Sequence, residues 1–225
     1  MKPGILPHLS VDCVIYTFHN NQLYVLIVKH DEGVSKGEWG LPGGWVKTNE
    51  NLDDSASRVL NQLTGLKNVY LEQLQAFGNI DRLPERIITV AYYALIKMED
   101  YEIHAGNTAQ EVRWVPIHDH PPLIFDHDDI LRFGNSRLQK IVRQKPIGFN
   151  LLPEEFTLFQ LQSLYEAILE TKFDKPNFRR KLLKMKLLID TKKKEKNVNN
   201  RPANLFRFDQ FIYDKLKEKG FSFDL

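Results

Sequence analysis

A chain of 225 residues with 42% hydrophobic and 27% charged side chains has the composition of an ordinary globular protein, enough for one generous domain or two small ones. No apolar run approaches a membrane span, Met1-Lys2-Pro3-Gly4 lacks the basic-then-apolar layout of a signal peptide, and a single cysteine, Cys13, excludes an internal disulfide framework, so a cytoplasmic location is expected. The formal charge of +2 hides an asymmetry: from Pro146 onward 16 Lys and Arg face 11 Asp and Glu (+5), which leaves 15 against 18 (−3) in front, as for two modules with different partners.

In chain order, residues 9–18 and 22–30 are β-rich runs, and His19-Asn20-Asn21 between them reads as a hairpin turn. Cys13, between Asp12 and Val14, reads as a small core or half-buried residue of the first strand. A loop holding Gly33, Gly37 and Gly40 leads to the turn Leu41-Pro42-Gly43-Gly44-Trp45. Behind it Asn51 can cap a helix that has Asp53 and Asp54 in its first turn and Gly65 at its left-handed end. Strands are expected over residues 71–77, 86–98 and 111–117, and Asp126 can cap a helix reaching about Gln144. Residues 144–150, with Pro146 and Gly148, have the composition of a linker.

The rear half is punctuated more sharply. Thr157 and Gln160 form a capping box before a helix over residues 158–169, whose Leu158, Leu161, Tyr165 and Ile168 share a face. Four residues separate it from Asp174, the expected cap of a helix over 175–185, in which Phe178, Leu182 and Met185 make one buried stripe. Two helices joined by so short a turn resemble a helix-turn-helix. Residues 187–190 and 205–208 are strand-like, and the polar loop 191–202 between them has the place of a wing. Within residues 171–201 there are 12 basic and 3 acidic side chains. Arg201-Pro202-Ala203 at the return can lay an arginine along a narrow minor groove while Lys192, Lys193 and Lys194 meet phosphates. A basic helix face alone is usually only solvated. Capping box, short turn, basic helix and basic hairpin in this order point to double-stranded operator DNA, with Lys175, Asn177, Arg179, Arg180, Lys181, Lys184, the three lysines and Arg201 as contacts.

The most specific motif spans residues 44–66. Gly44, Glu50, Arg58, Leu60, Gly65 and Leu66 stand in the register of a Nudix box, the signature of enzymes that cleave nucleoside diphosphates linked to another group. Its three helical glutamates are replaced by Val59, Gln62 and Leu63. Positions i, i+3 and i+4 share a helix face, so these three are expected to point at one spot, where carboxylates would hold cations that polarise a phosphate and activate water. Two aliphatic side chains and a neutral carboxamide cannot do so, and Glu50, Asp53 and Asp54 read as cap and solvent residues. No catalytic residue, metal or cofactor is therefore expected. A hydrolase with displaced carboxylates is the competing reading, as is an adaptor that uses the basic half for a protein partner.

Together, box frame and winged helix resemble the Nudix-related transcriptional regulators of bacteria. The resemblance also rests on residues 80–86 (Ile-Asp-Arg-Leu-Pro-Glu-Arg) running into Val90-Ala91-Tyr92-Tyr93-Ala94, on 121–127 (Pro-Pro-Leu-Ile-Phe-Asp-His), on 177–181 and on 201–208. It implies a Nudix-like α/β/α sandwich over residues 1–148 that senses an effector, followed by a winged helix-turn-helix domain over 149–225 that binds an operator as a homodimer. One branch of that family senses ADP-ribose or related NAD metabolites, and another senses L-arabinose and represses arabinose-use genes. Loss of the metal face favours L-arabinose or another pentose as effector, because a diphosphate needs cations or metal-bridged carboxylates. The effector-site candidates are Lys29, Gly43, Gly44, Trp45, Arg82, Arg86 and His127. Trp45 either stacks on a pyranose or belongs to the core. Arg82 and Arg86 either meet a phosphate, which keeps ADP-ribose open, or pair on the surface with Asp81 or Glu85. His127 either contacts the effector or simply starts a helix.

Overall fold

One strand sets the layering of the first half. In the computed structural model, which describes residues 4–106, 108–196, 201–221 and 223, strand β1 (Ile5–His19) is buried without interruption from Val11 to Thr17. Its Val11, Cys13 and Ile15 enter a core with Ala56, Val59, Leu60 and Leu63 of helix α1 (Leu52–Thr64). Successive side chains on a strand point to opposite faces, so Asp12, Val14 and Tyr16 face the other way. There the Tyr16 hydroxyl donates to Asn135 Oδ1 at 2.9 Å on helix α2 (His127–Gln144). A helix on each face is the α/β/α sandwich expected from sequence.

The sheet has seven strands. With β2 (Gln22–His30), β3 (Trp39–Gly40), β4 (Gly43–Lys47), β5 (Glu72–Phe77), β6 (Ile88–Leu95) and β7 (Ala109–Pro116), its order is β3-β2-β1-β6-β5, with β4 also on β1 and β7 on β2. β1 and β6 run parallel, and β4 is antiparallel to β1, so that Gly43 stands opposite Asp12 and Gly44 opposite Val11. The two glycines are thus strand residues, not turn residues, although Leu41 and Pro42 do make the reversal between β3 and β4. The strand expected over 86–98 is shorter, because Met98–Asp100 turns as a 3-10 helix.

The chain forms two compact units. One runs through Thr17 and resumes over Tyr24–Arg137; the other takes Phe18–Leu23 and the chain from Leu138 on. The break falls inside α2, which is therefore common to both units.

The second unit is a winged helix. Helices α3 (Leu158–Leu169) and α4 (Lys175–Lys184) stand beside a three-stranded antiparallel sheet of β8 (Phe156–Thr157), β9 (Leu188–Lys194) and β10 (Asn204–Phe208), in the order β8-β10-β9. Both caps read from sequence are formed: Thr157 Oγ1 accepts from Gln160 N at 3.1 Å while Gln160 Oε1 accepts from Thr157 N at 2.8 Å, and Asp174 Oδ1 accepts from Asn177 N at 3.0 Å. The expected linker is instead a 3-10 helix, Pro146–Leu151, with Pro146, Gly148, Phe149 and Leu151 buried. Its Phe149 ring stacks on Phe208 at 4.4 Å and tilts against Phe156 at 5.6 Å, which is why the segment cannot be a loose tether. Helix α5 (Gln210–Glu218), capped by Asp209, follows; sequence reasoning did not anticipate it or β8. Among the described residues no helix is long and apolar enough to cross a membrane.

Replacing Phe149 with alanine removes the ring that joins the 3-10 helix to β8 and β10. The expected cost is about 3 kcal/mol in denaturant unfolding. An unchanged midpoint would show that this stack contributes nothing.

Candidate functional site

The box helix holds an ion pair where its pattern implies a cation. Arg58 Nε donates to Glu50 Oε2 at 2.8 Å and Nη2 to Glu50 Oε1 at 2.5 Å, while Nη2 also reaches the Trp45 carbonyl at 2.9 Å and Nη1 reaches Gln62 Oε1 at 3.0 Å. Glu50 Oε1 further accepts from Ser55 Oγ at 2.7 Å and Lys47 N at 2.8 Å. The Arg58 hydrogen bonds foremost hold the Glu50 carboxyl at a pKa of about 2. Glu50 is therefore the clasp between β4 and α1, not a cap or solvent residue. Asp53 is likewise engaged, accepting from the Tyr92 hydroxyl at 2.6 Å, and Asn51 makes no cap bond because its amide turns to Asp54 Oδ2 at 3.2 Å.

Val59, Gln62 and Leu63 do not converge. Val59 and Leu63 lie in the core, 3% and 5% exposed, whereas Gln62 is turned out to solvent beside Arg58. Positions i and i+4 share the buried face here and i+3 falls at its edge. A Cβ on Gly44 would come within 3.1 Å of Val59 Cγ2, so methyl groups fill the space beneath that glycine. A divalent cation does not fit these residues: no oxygen remains on the core-facing positions, and both Glu50 oxygens are bound by a guanidinium.

Next to the box lies a buried polar network. A Cβ on Gly43 would fall 1.9 Å from Asp12 Oδ1 and 3.3 Å from the Val11 carbonyl, so only glycine fits. Asp12 is 5% exposed, and burial pushes its carboxyl pKa up against the opposing pull of His127 and Arg82. His127 Nδ1 accepts from Leu41 N at 2.9 Å, which puts the ring proton on Nε2, 3.5 Å from Asp12 Oδ2. Arg82 grips Asp126 with both arms, Nε to Oδ2 at 2.6 Å and Nη2 to Oδ1 at 2.7 Å. Its Nη1 meets Thr89 Oγ1 at 2.9 Å and the Phe77 and Ile87 carbonyls at 3.2 and 3.3 Å.

These positions correct two sequence readings. Arg82 neither reaches out to a phosphate nor pairs with Asp81 or Glu85, and the Asp126 carboxylate serves Arg82. His127 begins α2 and is buried, at 6% exposure. Trp45, in contrast, is 40% exposed and is not core. Arg86 is exposed, with Nη1 on the Gly78 carbonyl at 2.5 Å. Lys29 is half-buried, its ammonium 6.0 Å from the centre of the Trp39 ring, and the Arg113 guanidinium lies over the same ring at 4.2 Å. Sequence reasoning missed Trp39 and Arg113, because they meet only through two strand registers, Lys29 opposite Trp39 and, over a long range, Ile27 opposite Arg113.

In the second unit α4 buries Phe178 and Leu182 and exposes Lys175, Asn177, Arg179, Arg180, Lys181 and Lys184. Arg180 Nη2 donates to Asn177 Oδ1 at 2.6 Å. A groove of about 460 Å³ runs between α3, α4 and the return to β10, and Phe159, Gln162, Lys175, Arg179, Arg201 and Phe206 line it, with no acidic residue among its described walls. The triple lysine is on β9 rather than in a loop: Lys192 pairs with Asp190 at 3.0 Å, Lys193 with Glu155 at 2.7 Å, and Lys194 stands opposite Asn204. The tip of the expected wing, residues 197–200, lies outside the described residues.

Comparison with known proteins supplies independent findings. Residues 6–133 match the model of the NUDIX domain, and residues 148–208 match that of the NrtR DNA-binding winged helix domain. The chain is 34% identical, over 92% of its length and 84% of the relative's, to the ADPR responsive transcriptional repressor NtrR of Acinetobacter baylyi. Shewanella oneidensis NrtR in complex with a 27mer DNA is 33% identical with a TM-score of 0.73, covering 89% of this chain and 93% of that one. The NUDIX domain of the same Shewanella protein in complex with ADP ribose is also 33% identical, with a TM-score of 0.54 over 61% of this chain and 90% of that one.

The Glu50 clasp has a pH signature. A carboxyl held at about 2 instead of its ordinary 4.5 stabilises the fold above the unfolded value, and that contribution is lost as pH falls from about 4.5 toward 2. Glu50→Gln should therefore be less stable than the parent at pH 7, with the gap closing across that window in thermal or urea melts. A gap that stays constant with pH would show that the charge of Glu50 is not its source.

Proposed function

Because the chain belongs to the NUDIX domain family and carries an NrtR-type winged helix behind that domain, we propose that it is a transcriptional repressor that binds operator DNA and is released by ADP-ribose. Residues 1–148 serve as the effector domain and residues 149–225 as the DNA-binding domain, and two copies bind the two half-sites of one operator. The observation that carries the proposal is the pairing, in one chain, of a box whose metal face is aliphatic with a winged helix whose groove is lined by cations and no acid. The first removes the means of hydrolysis; the second supplies the means of following a phosphate backbone.

ADP-ribose replaces the L-arabinose expected from sequence. The similar repressor of Acinetobacter is named for ADPR, and the similar Shewanella NUDIX domain was solved with ADP ribose. Metal-bridged carboxylates are one way to meet a diphosphate, and their absence from the box helix is what favoured a sugar. Guanidinium and ammonium groups meet phosphate oxygens directly. Arg86 is exposed, and Lys29 and Arg113 stand beside the Trp39 ring, so charge and an aromatic surface are present without a metal. Exposed Trp45 next to Gly43 and Gly44 offers a second ring. Arg82 and His127 leave the set of direct contacts.

On DNA the proposal divides the labour. Lys175, Arg179 and Arg201 face the groove and hold phosphates, whereas Asn177 and Arg180, bonded to each other on the exposed side of α4, present a paired amide and guanidinium to base edges.

Three results are expected from purified full-length protein. A gel shift on DNA upstream of its own gene should be reversed by ADP-ribose and not by L-arabinose; reversal by the sugar alone would overturn the effector assignment. Arg179→Ala with Arg201→Ala should weaken the shift about tenfold or more and flatten its salt dependence, with ADP-ribose affinity in calorimetry unchanged. With magnesium or manganese, ADP-ribose should remain intact in an overnight assay, and turnover at enzyme-like rates would restore the hydrolase reading.

A further inference from the structure

Two segments carry residues of the proposed effector site, 39–45 with Trp39 and Trp45 and 78–87 with Arg86, and both are tied by buried bonds to the consecutive residues Asp126 and His127. From the first segment, Leu41 N donates to His127 Nδ1 at 2.9 Å, and the Trp39 carbonyl accepts from Ile124 N at 2.7 Å. From the second, Arg82 binds both oxygens of Asp126 at 2.6 and 2.7 Å, with the two side chains only 8% and 12% exposed. Asp12, pressed under Gly43, faces the other ring nitrogen of His127 at 3.5 Å.

The packing leaves no slack. A Cβ on Gly40 would come within 2.8 Å of Ile124 and 3.1 Å of His127 Nδ1, so the strand and the start of α2 are in direct contact. Phe125, between Ile124 and Asp126, sits at φ 53° with its ring 57% exposed and edge-on to His127 at 5.9 Å. A left-handed phenylalanine is held there only because its neighbours on both sides are bonded.

We infer that Asp126 and His127 are the positioning pair through which effector occupancy moves α2, the helix common to both units. The inference rests on the ADP-ribose reading above. The Leu41 amide and the Arg82 guanidinium are shielded from water, so an effector that shifts 41–45 or draws in 78–87 cannot leave them unbonded without the full desolvation cost. The cheaper course is for their acceptors to follow, and both acceptors stand at the first turn of α2. Small shifts at a helix start are carried along it as a rigid element. His127 acts through this linkage and does not touch the effector.

The test uses the full chain, ADP-ribose and a duplex taken from upstream of its own gene. Three quantities are measured: affinity for ADP-ribose, affinity for the duplex alone, and the factor by which saturating ADP-ribose weakens duplex binding. His127→Leu removes the acceptor from Leu41 N, and His127→Asn keeps an oxygen near the place of Nδ1. The parent factor should be about tenfold or more, and His127→Leu should bring it near one while changing each separate affinity less than about threefold. His127→Asn should restore most of the factor. Full coupling in His127→Leu overturns the inference, and so does loss of ADP-ribose binding itself, which would make His127 a ligand contact. If His127→Leu does not fold, Arg82→Lys keeps the charge opposite Asp126 but cannot hold both oxygens, and unchanged coupling there overturns the inference equally. A parent protein that binds DNA with no response to ADP-ribose fails earlier, removing the effector reading and this inference with it.

Discussion

The grip of Arg82 on Asp126 is the interaction on which the first unit's far face depends. Two charges taken out of water are favourable only when nearly every donor and acceptor is matched, and removing one partner of such a pair costs about 3–5 kcal/mol because the other is stranded. Here the guanidinium has five acceptors on four residues, Asp126, Thr89, Phe77 and Ile87. Thr89 is itself tied to Ser10 at 2.8 Å, so the network fastens β1, β6, the end of β5 and the start of α2 to one point. His127 adds the reversal between β3 and β4 through Leu41, and Gly43 is pressed against the carboxylate of Asp12. A polar cluster of this kind contributes less to net stability than to the uniqueness of the arrangement.

The box shows the same logic with a different outcome. Its Arg58 and Glu50 join β4 to α1, and that purpose survives the loss of the three glutamates because it never required them. With Val59 and Leu63 in their places the helix gains apolar burial against Gly44 and the strands of the core, at roughly 25 cal/mol per Å² of surface removed from water. The domain thus has a packed face on this side of the helix together with the clasp that holds Trp45 and its neighbours. Arg58 donates to the Trp45 carbonyl at 2.9 Å, so the exposed ring stands on a backbone fixed by the clasp.

What sequence made legible was what is local. Gly65 adopts the left-handed conformation, φ 76°, that ends α1, and the Thr157 and Asp174 caps depend on residues three apart. The winged helix followed from the order of such signals. Arg82 and Asp126 are 44 positions apart, and Gly43 meets Asp12 only through a strand register, so neither pairing leaves a trace in spacing or composition. Asn51 misled because an asparagine before a helix usually caps it, and here its amide turns instead to Asp54. Arginines 82 and 86 read alike on paper; the fold shields the side chain of one, 8% exposed, and leaves the other in solvent. The preference for arabinose weighed the carboxylates lost from one helix, whereas the cluster of Trp39, Lys29 and Arg113 that the ADP-ribose proposal uses is assembled from three strands.

On the DNA side, counting lysines overstates the charge available to a duplex. Lys192 and Lys193 are held by Asp190 and Glu155 on the protein itself, and a surface pair of this kind is worth little, so a phosphate can displace the carboxylate but gains only the difference. Lys175, Arg179 and Arg201 face a groove with no acid among its described walls, and in the proposed complex their counterions are released outright when a backbone enters. In the proposed complex the groove therefore outweighs the denser run of lysines on β9 in the electrostatic part of binding. Because Phe159 stands 57% exposed at the same groove, an apolar surface lies beside those cations, and a strand seated there meets ring and charge together.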